Sequence, residues 1–358
     1  MTDKENQAAR IGFETQYGRY HIGDSAVMLR EGMRDDFKGR VQLIHTSPPF
    51  PLNNKKSYGN LQGEAYKEWF SSLAETFAEM LTEDGSVVIE IGNAWEPGRP
   101  VQSLLHMEAL IAFAKNEKAG FRLCQQFVCH NPARLPSPAE WVTIQRIRLT
   151  DSYTHLWWMS RTDFPKADNK RVLRPYSKSM NDLIRRKSYN AGKRPSEHTI
   201  SETSFLIDHG GSIMPNFLEL EPLDADAPPR LPNVFSIANT GSNDYYHRRC
   251  RDLGIVPHPA RMPVGLAAFF IKLLTDEGDL VLDPFAGSNS TGYAAEQLRR
   301  RWVGIEIMQD YARQAQIRFE EPQAGNRNGQ SGDDSQANET TVWNGGGLEC
   351  AAPSGTPG

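Results

Sequence analysis

Two loops hold the residue types that could perform chemistry, and the first runs from Asp283 to Gly292 with the sequence DPFAGSNSTG. It follows a short apolar strand predicted at Leu280–Leu282 and opens a predicted helix, so it lies at the carboxyl end of a strand, where α/β sheets bind ligands. Gly287 allows the backbone to approach a ligand closely. Glu306 ends the next predicted strand, and an acid at that place suits the hydroxyls of a ribose.

The glycine spacing of this loop indicates which ligand it suits. It does not follow GxGxxG, and no GK[ST] follows it, so the pattern does not favour a pyrophosphate. A nucleoside without phosphates, such as S-adenosylmethionine, fits better, with Asp283 near its cationic methionine end and Glu306 on its ribose. The alternative is an ordinary tight connection between a strand and a helix.

The second loop spans residues 46–50, with the sequence TSPPF, and follows the predicted strand Val41–Ile44. Its two prolines fix φ and remove two N–H donors, which leaves a rigid row of carbonyl acceptors between a hydroxyl and an aromatic ring. Such acceptors could hold the amino group of a base and direct its lone pair at a methyl donor while the ring stacks on the base. Taken alone, the motif is also typical of a proline-rich turn. The candidate catalytic residues are Ser47, Pro48, Pro49 and Phe50.

The order of strand and helix patterns predicts a sheet that brings both loops to one edge. Strand patterns at 19–23, 40–46, 86–91, 122–129, 279–283 and 302–307 alternate with helix patterns at 66–81, 101–118, 264–274, 291–300 and 309–319. Gly85 is predicted to end the first helix. The alternation predicts a doubly wound α/β fold, with a mostly parallel sheet covered by helices on both faces.

The alternation stops between Asn131 and about Pro257, which predicts an inserted lobe. The predicted organisation is an N-terminal arm at 1–17, half of the main domain at 18–130, the lobe at 131–257, the other half at 258–320 and a tail at 321–358. The tail is rich in Gly, Asn, Gln, Ser and Pro and has few large apolar residues, so we expect it to be disordered and dispensable.

Composition and charge exclude several classes of protein. Of the 358 residues, 39% are hydrophobic, which suffices for a sizeable core. The chain has no apolar run long enough to span a bilayer, no signal-peptide pattern and no CxxC spacing, so a cytoplasmic protein without membrane contact is expected. Residues 161–200 hold eleven Lys or Arg against four Asp or Glu, which indicates either a polyanion contact or a solvated face.

The combination of motifs resembles the amino-methylating DNA methyltransferases of restriction–modification systems, most closely cytosine-N4 enzymes of the PvuII type. SPPF at 47–50 resembles their catalytic motif, DPFAG at 283–287 their methionine-binding motif, and GIE at 304–306 the end of their ribose-binding strand. The catalytic motif precedes the cofactor motif, which is the permuted, beta-class order. The resemblance covers about 18–318 and includes LPSPAEWV at 135–142, GGSIMPN at 210–216 and HPARMP at 258–263. It does not extend to 161–200, and Glu90 stands where the resemblance leads us to expect Asp.

The resemblance implies a permuted S-adenosylmethionine-dependent methyltransferase fold with a target-recognition lobe, and it assigns further residues. The candidate cofactor-binding residues are Asp24, Asp283, Phe285, Gly287, Ser288, Glu306, His258 and Arg261. The candidate DNA contacts, mostly to phosphates, are Arg174, Lys178, Arg185, Arg186, Lys187, Arg194, Arg248 and Arg249, with Arg251 beside them. Trp157 and Trp158 are expected in the core, and the role of Glu90 stays open between a contact near the base and a structural one.

The predicted function is transfer of a methyl group from S-adenosylmethionine to the N4 amino group of a cytosine flipped out of double-stranded DNA. No metal ion is expected, because the sulfonium already makes the methyl group electrophilic. The product would protect DNA from a cognate restriction endonuclease. The alternatives are an adenine-N6 or RNA base methyltransferase, and a DNA-binding regulator built on an inactive methyltransferase fold.

Overall fold

A ten-stranded sheet runs through the part of the chain that the computed structural model describes, residues 10–50, 61–221, 235–238, 245–258 and 262–320. Its strands are β1 (Arg10–Glu14), β2 (Gly18–Ile22), β3 (Val41–Thr46), β4 (Leu81–Gly92), β5 (Arg122–His130), β6 (Tyr153–Ser160), β9 (Phe217–Glu221), β10 (Phe235–Ala238), β11 (Leu280–Asp283) and β12 (Arg301–Glu306); β7 (Gly192–Lys193) and β8 (Thr199–Ile200) form a separate antiparallel pair.

The strand order is β1-β2-β12-β11-β3-β4-β6-β5-β9-β10. β1 is antiparallel to β2, and β6 is antiparallel to both of its neighbours, whereas the other pairs are parallel. Because β11 lies directly between β12 and β3, the two loops singled out above follow adjacent strands. The mostly parallel sheet predicted from the sequence is confirmed.

Helices cover both faces of this sheet. They are α1 (Ser25–Arg30), α2 (Arg34–Phe37), α3 (Gly63–Met80), α4 (Leu105–Ala114), α5 (Lys178–Arg186), α6 (Tyr245–Asp252), α7 (Val264–Leu274), α8 (Ser290–Gln297) and α9 (Gln309–Ile317). Successive residues of a strand point to opposite faces, so Ile44 packs in the apolar layer that contains Phe70 of α3, and Leu43 packs in the layer that contains Phe270 of α7. All six residues of β3 are buried, as expected for a central strand covered on both sides.

Two predicted element boundaries are wrong. Helix α3 ends at Met80 and strand β4 begins at once with Leu81, which has extended dihedral angles and pairs with Val41, so Gly85 lies inside the strand and does not end the helix. Helix α4 occupies only Leu105–Ala114 of the predicted 101–118, because the Asn116 side chain accepts hydrogen bonds from the next backbone N–H groups and closes a turn.

The predicted lobe at 131–257 is less separate than its sequence indicates. Strand β6 inserts between β4 and β5, where Leu156 and Met159 are fully buried, and β9 and β10 extend the same sheet. The sequence analysis did not predict β6 as part of the sheet, because this strand runs antiparallel and no crossover helix joins it to its neighbours, so the alternation of strands and helices is absent there. Residues 161–216 hold the more exposed remainder, including α5.

The two ends of the chain fall partly outside the described residues. Residues 10–14 of the predicted N-terminal arm form the edge strand β1. The tail at 321–358, predicted to be disordered, lies outside the described residues. Among the residues that are described, no helix is long and apolar enough to cross a membrane.

Candidate active site

A cavity of about 680 Å³ lies where β3, β4, β11 and β12 end, and both predicted loops line it. From the first loop come Asp283 and Gly287, and from the second come Ser47, Pro48 and Phe50. These loops are more than 230 residues apart in the chain, yet the Thr46 hydroxyl donates a hydrogen bond of 2.7 Å to Asp283 Oδ1. The parallel order of β3 and β11 therefore joins the two candidate motifs into one site.

Asp283 is the buried acid at the centre of this cavity. Its Oδ1 also accepts a hydrogen bond of 3.1 Å from the Phe285 backbone N–H, and the side chain is hydrogen bonded to Thr291. Burial raises the pKa of Asp283 to about 6, although these hydrogen bonds favour its charged form. A buried carboxylate without a cationic partner is costly, so a cationic ligand beside it would be strongly stabilised.

Glu306 organises the glycine turn of the same loop. Its two carboxylate oxygens accept from the backbone N–H groups of Gly287 (3.0 Å) and Met308 (2.9 Å), and burial raises its pKa. Gly287 has a φ of 48°, and a Cβ there would lie 3.0 Å from the His258 ring. The backbone therefore requires glycine at this position. The Glu306 carboxylate has further lone pairs that can accept hydrogen bonds, and it lines a cavity that a ribose could enter.

The other predicted cofactor residues divide into those that line the cavity and those that do not. Asp24 and Phe285 line it, and Asp24 caps helix α1 by accepting from the Ala26 N–H at 2.8 Å. His258 also lines it, with its ring 4.3 Å from the Tyr311 ring. Arg261 lies outside the described residues.

Ser288 has a different position from the one predicted. Its carbonyl and its hydroxyl accept hydrogen bonds of 2.6 and 3.1 Å from the buried Arg318 guanidinium. It is absent from the cavity lining, where Ser290 and Thr291 supply the hydroxyls instead. The Ser288 side chain is buried and contacts Arg318 instead of the cavity.

The proline loop is held by a residue that the sequence analysis did not single out. The Tyr66 hydroxyl, on α3, donates a hydrogen bond of 2.9 Å to the Pro49 carbonyl. This contact occupies one lone pair of the predicted row of acceptors, and Ser47, Pro48 and Pro49 all line the cavity. The Phe50 ring packs so closely on Gly92 that a Cβ there would lie 2.5 Å from the ring. No motif in the sequence identifies Tyr66, since a tyrosine on an amphipathic helix is indistinguishable from a core residue.

Glu90 is a second acid that contacts the proline loop. It is buried at the end of β4, where Oε1 accepts a hydrogen bond of 3.0 Å from the Thr154 hydroxyl and the Ser47 side chain forms a further hydrogen bond with it. Burial raises the pKa of Glu90, while these hydroxyls and the nearby positive charge of Arg134 lower it. Among the two roles left open, this geometry favours the one beside the base, because Glu90 lies in the cavity wall.

The predicted DNA contacts lie in two separate parts of the structure, the 161–216 region with α5 and the helix α6. Arg185, Arg186 and Lys187 are exposed at the end of α5, where Arg185 pairs with Asp182 at 2.6 Å. Arg249 of α6 instead pairs with Glu320 at 3.1 Å and is about three-quarters buried. Arg249 thus has a structural partner, and Arg248 is the more exposed of these two neighbours. Arg174, Lys178 and Arg194 lie with α5 in the 161–216 region.

We expect the triple substitution of Arg185, Arg186 and Lys187 by Ala to weaken DNA binding and to flatten its salt dependence. The slope of log K against log salt changes by roughly 0.9 for each phosphate contact that is lost. Fluorescence anisotropy with a labelled duplex at several salt concentrations measures both quantities. Lys115→Ala combined with Lys118→Ala, after the end of α4, is the control; equal slopes in all three proteins would show that α5 is only a solvated face.

The cavity and its three buried acids at the carboxyl edge of a doubly wound sheet, with a proline loop beside them, define a methyltransferase of the amino-methylating class. The chain belongs to the N6/N4 methyltransferase family, described as DNA methylase, whose model matches residues 41–317. Type II methyltransferase M.PvuII of Proteus hauseri is 40% identical over 319 residues, which are 88% of this chain and 88% of that protein.

A solved structure and a further relative support the same family assignment. The solved structure of PvuII DNA methyltransferase, described as cytosine-N4-specific, matches with a TM-score of 0.65 and 33% identity over 89% of this chain and 92% of its own. Putative methylase YubD of Escherichia coli strain K12 is 42% identical over 77 residues, 22% of this chain and 34% of that protein. The predicted family and fold are confirmed.

Proposed function

We propose that this protein methylates the N4 amino group of cytosine within a specific sequence of double-stranded DNA, with S-adenosylmethionine as the methyl donor. The observation that supports it most directly is the hydrogen bond between Ser47 and the buried Glu90, in a cavity that also holds Asp283. The extended similarity to the cytosine-N4-specific PvuII enzyme supports the same assignment.

The cofactor end of the cavity suits the proposed donor. Asp283 places a buried negative charge where a cationic sulfonium or ammonium would be stabilised, and Glu306 presents acceptors to a ribose. When bound, S-adenosylmethionine supplies an electrophilic methyl group. The residues of the chain would bind and orient it in the cavity.

The catalytic end suits an amino group on a flat ring. The Pro48 carbonyl and the Ser47 hydroxyl would hold the amine so that its lone pair points at the methyl group, and Phe50 would contact the face of the base. After it has gained the methyl group, the N4 nitrogen is positively charged and must lose one proton. Glu90, hydrogen bonded to Ser47, is the acceptor toward which that proton can move.

The nature of the first residue in the motif favours cytosine over adenine. The N3 atom of cytosine is an acceptor beside the amino group. The Ser47 hydroxyl has a single proton, so it can donate to N3 by turning away from Glu90, whereas a carboxylate at this place would repel N3. The alternative of an inactive, purely DNA-binding protein is disfavoured, because both motifs are intact and share one cavity.

Mass spectrometry of nucleosides tests the product. Plasmid DNA methylated by the purified protein is digested to nucleosides, and we expect N4-methylcytosine. N6-methyladenine would contradict the choice of base, and 5-methylcytosine would contradict the mechanism, since that reaction needs a cysteine nucleophile and the 46–50 loop has none. Sequencing that detects modified bases in the same DNA gives the recognition sequence.

We further propose that the methylation protects DNA from a cognate restriction endonuclease. Plasmid from cells that express the protein should resist one endonuclease whose site matches the methylated sequence. Plasmid from cells that express the Ser47→Ala variant should stay sensitive to the same endonuclease.

A further inference from the structure

The connection between β5 and β6, residues 131–152, carries several apolar side chains that are exposed to solvent. Leu135 is 81% exposed, Ile144 69%, Ile147 48% and Leu149 88%. Single exposed apolar side chains are common on proteins, but four within one short connection form a patch, and such patches mark interaction surfaces. We call residues 131–152 the β5–β6 arm.

Both ends of the β5–β6 arm form part of the cavity wall. Asn131 and Arg134 line the cavity at the start of the arm, and Ser152 lines it at the end. The Asn131 N–H donates to the Ser152 carbonyl at 2.7 Å, which closes the base of the arm beside the candidate active site. The exposed side chains therefore project from the rim of the cavity on the side of Glu90, which interacts electrostatically with Arg134.

Hydrogen bonds within the β5–β6 arm, and from the arm to neighbouring residues, hold its conformation. The Trp141 carbonyl accepts from the N–H groups of Ile147 and Arg148 at 3.0 and 3.2 Å, and the Arg148 Nε donates to the Pro100 carbonyl at 2.8 Å. At the end of the arm, the Asn93 amide donates to Asp151 at 2.6 Å. A preorganised projection loses little conformational entropy when it binds a partner.

We propose that the β5–β6 arm inserts Leu135 and Leu149 into the base stack of duplex DNA, in the space that the target base leaves when it enters the cavity. This inference rests on the proposed function. A base cannot reach Ser47 from within a duplex, and its extrusion leaves a gap that apolar side chains of other proteins are known to fill. Arg146 and Arg148, which are exposed on either side of Ile147, are placed to contact the flanking phosphates.

Two other exposed apolar side chains near the cavity fit this role less well. Val27 and Ile307 are 49% and 55% exposed, but they lie beside Asp24 and Glu306, at the cofactor end. The β5–β6 arm lies at the catalytic end, and its arginines complement the charge of DNA. A second copy of this chain is the competing occupant of the patch.

The test uses the full-length protein, S-adenosylmethionine and short duplexes that contain the sequence found by sequencing methylated DNA. One duplex is fully matched, and the other has an abasic site opposite the target cytosine, so that its extrusion costs less. On the matched duplex, we expect the single-turnover rate of the double variant Leu135→Ser, Leu149→Ser to be lower than the wild-type rate by roughly tenfold or more. On the abasic duplex, we expect the rate of the same variant to lie within about threefold of the wild-type rate on that duplex. Phe164→Ser is the control, because Phe164 is 88% exposed but lies beyond Ser160, at the far end of β6.

The outcomes separate this inference from the proposed function. An unchanged rate on the matched duplex would overturn the insertion, and so would an equal loss on both duplexes, which would indicate a role in binding. A wild-type dimer that the double variant abolishes, seen by light scattering, would assign the patch to a second copy. If the wild-type protein transferred no methyl group to any DNA, the proposed function itself would fail.

Discussion

Glu90→Gln will slow methyl transfer by about two orders of magnitude, the usual scale for loss of a positioned proton acceptor, and will leave the affinity for S-adenosylmethionine unchanged. The glutamine keeps the size of the side chain and an oxygen that can accept from Thr154 and Ser47. It cannot take the proton that N4 must lose. Single-turnover transfer of a labelled methyl group to plasmid DNA measures the rate, and calorimetry measures the affinity.

The pH profile distinguishes a proton acceptor from a structural residue at this position. Because burial raises the pKa of Glu90, the wild-type rate should fall as the pH drops below that raised value, where the carboxyl is protonated. With S-adenosylmethionine kept saturating at every pH, so that protonation of Asp283 does not limit the rate, the Gln variant should lack this acid limb. Glu108→Gln, on the exposed side of α4, is the control and should keep both the rate and the profile. A slow variant with an unchanged acid limb would assign Glu90 to positioning alone.

Asp283→Asn will weaken the binding of S-adenosylmethionine by roughly tenfold to a hundredfold, which corresponds to about 1–3 kcal/mol for loss of a charged partner. The amide can still accept from Thr46 and from the Phe285 N–H, so the loop should keep its conformation. Calorimetry with the purified protein measures the change. Asp163→Asn, on the exposed ion pair with Arg122, is the matched control. An unchanged affinity of the Asp283 variant would contradict the assigned cofactor end of the cavity.

The same acid makes the affinity for the cofactor depend on pH. The pKa of Asp283 is raised to about 6 in the folded protein, so the group is neutral below that pH and charged above it. A cationic ligand should bind more weakly as the pH falls below about 6, and the Asn variant should not show this dependence. For the folded protein without ligand the sign is opposite: between the usual Asp pKa of about 4 and 6 the folded state holds more protons than the unfolded chain, so its stability falls as the pH rises.

Part of this site follows from local sequence because the patterns that identify it are local. The apolar strands before the two loops, the small residues of the loop at 283–292 and the acid at the end of β12 can each be recognised within about ten residues. Parallel strands place their carboxyl ends at one edge of the sheet. The prediction that the two loops meet therefore did not depend on knowing any contact between distant parts of the chain. Helix α7 was predicted with its observed ends for the same reason.

The tertiary structure alone decided which side chains complete the site. Ser47, Glu90 and Thr154 come from the ends of β3, β4 and β6, and they meet only because β6 inserts antiparallel between β4 and β5. An antiparallel insertion leaves no periodic signal, since any apolar strand of that length could have occupied the position. Similarly, the sequence does not distinguish Tyr66 from a core residue until its partner, the Pro49 carbonyl, is placed. Arg249, predicted to contact DNA, has its ion-pair partner Glu320 only in the folded chain. Local patterns thus determined the fold and the cofactor end of the cavity, whereas hydrogen bonds between distant strands determined its catalytic end, because such pairings depend on sheet order and not on spacing along the chain.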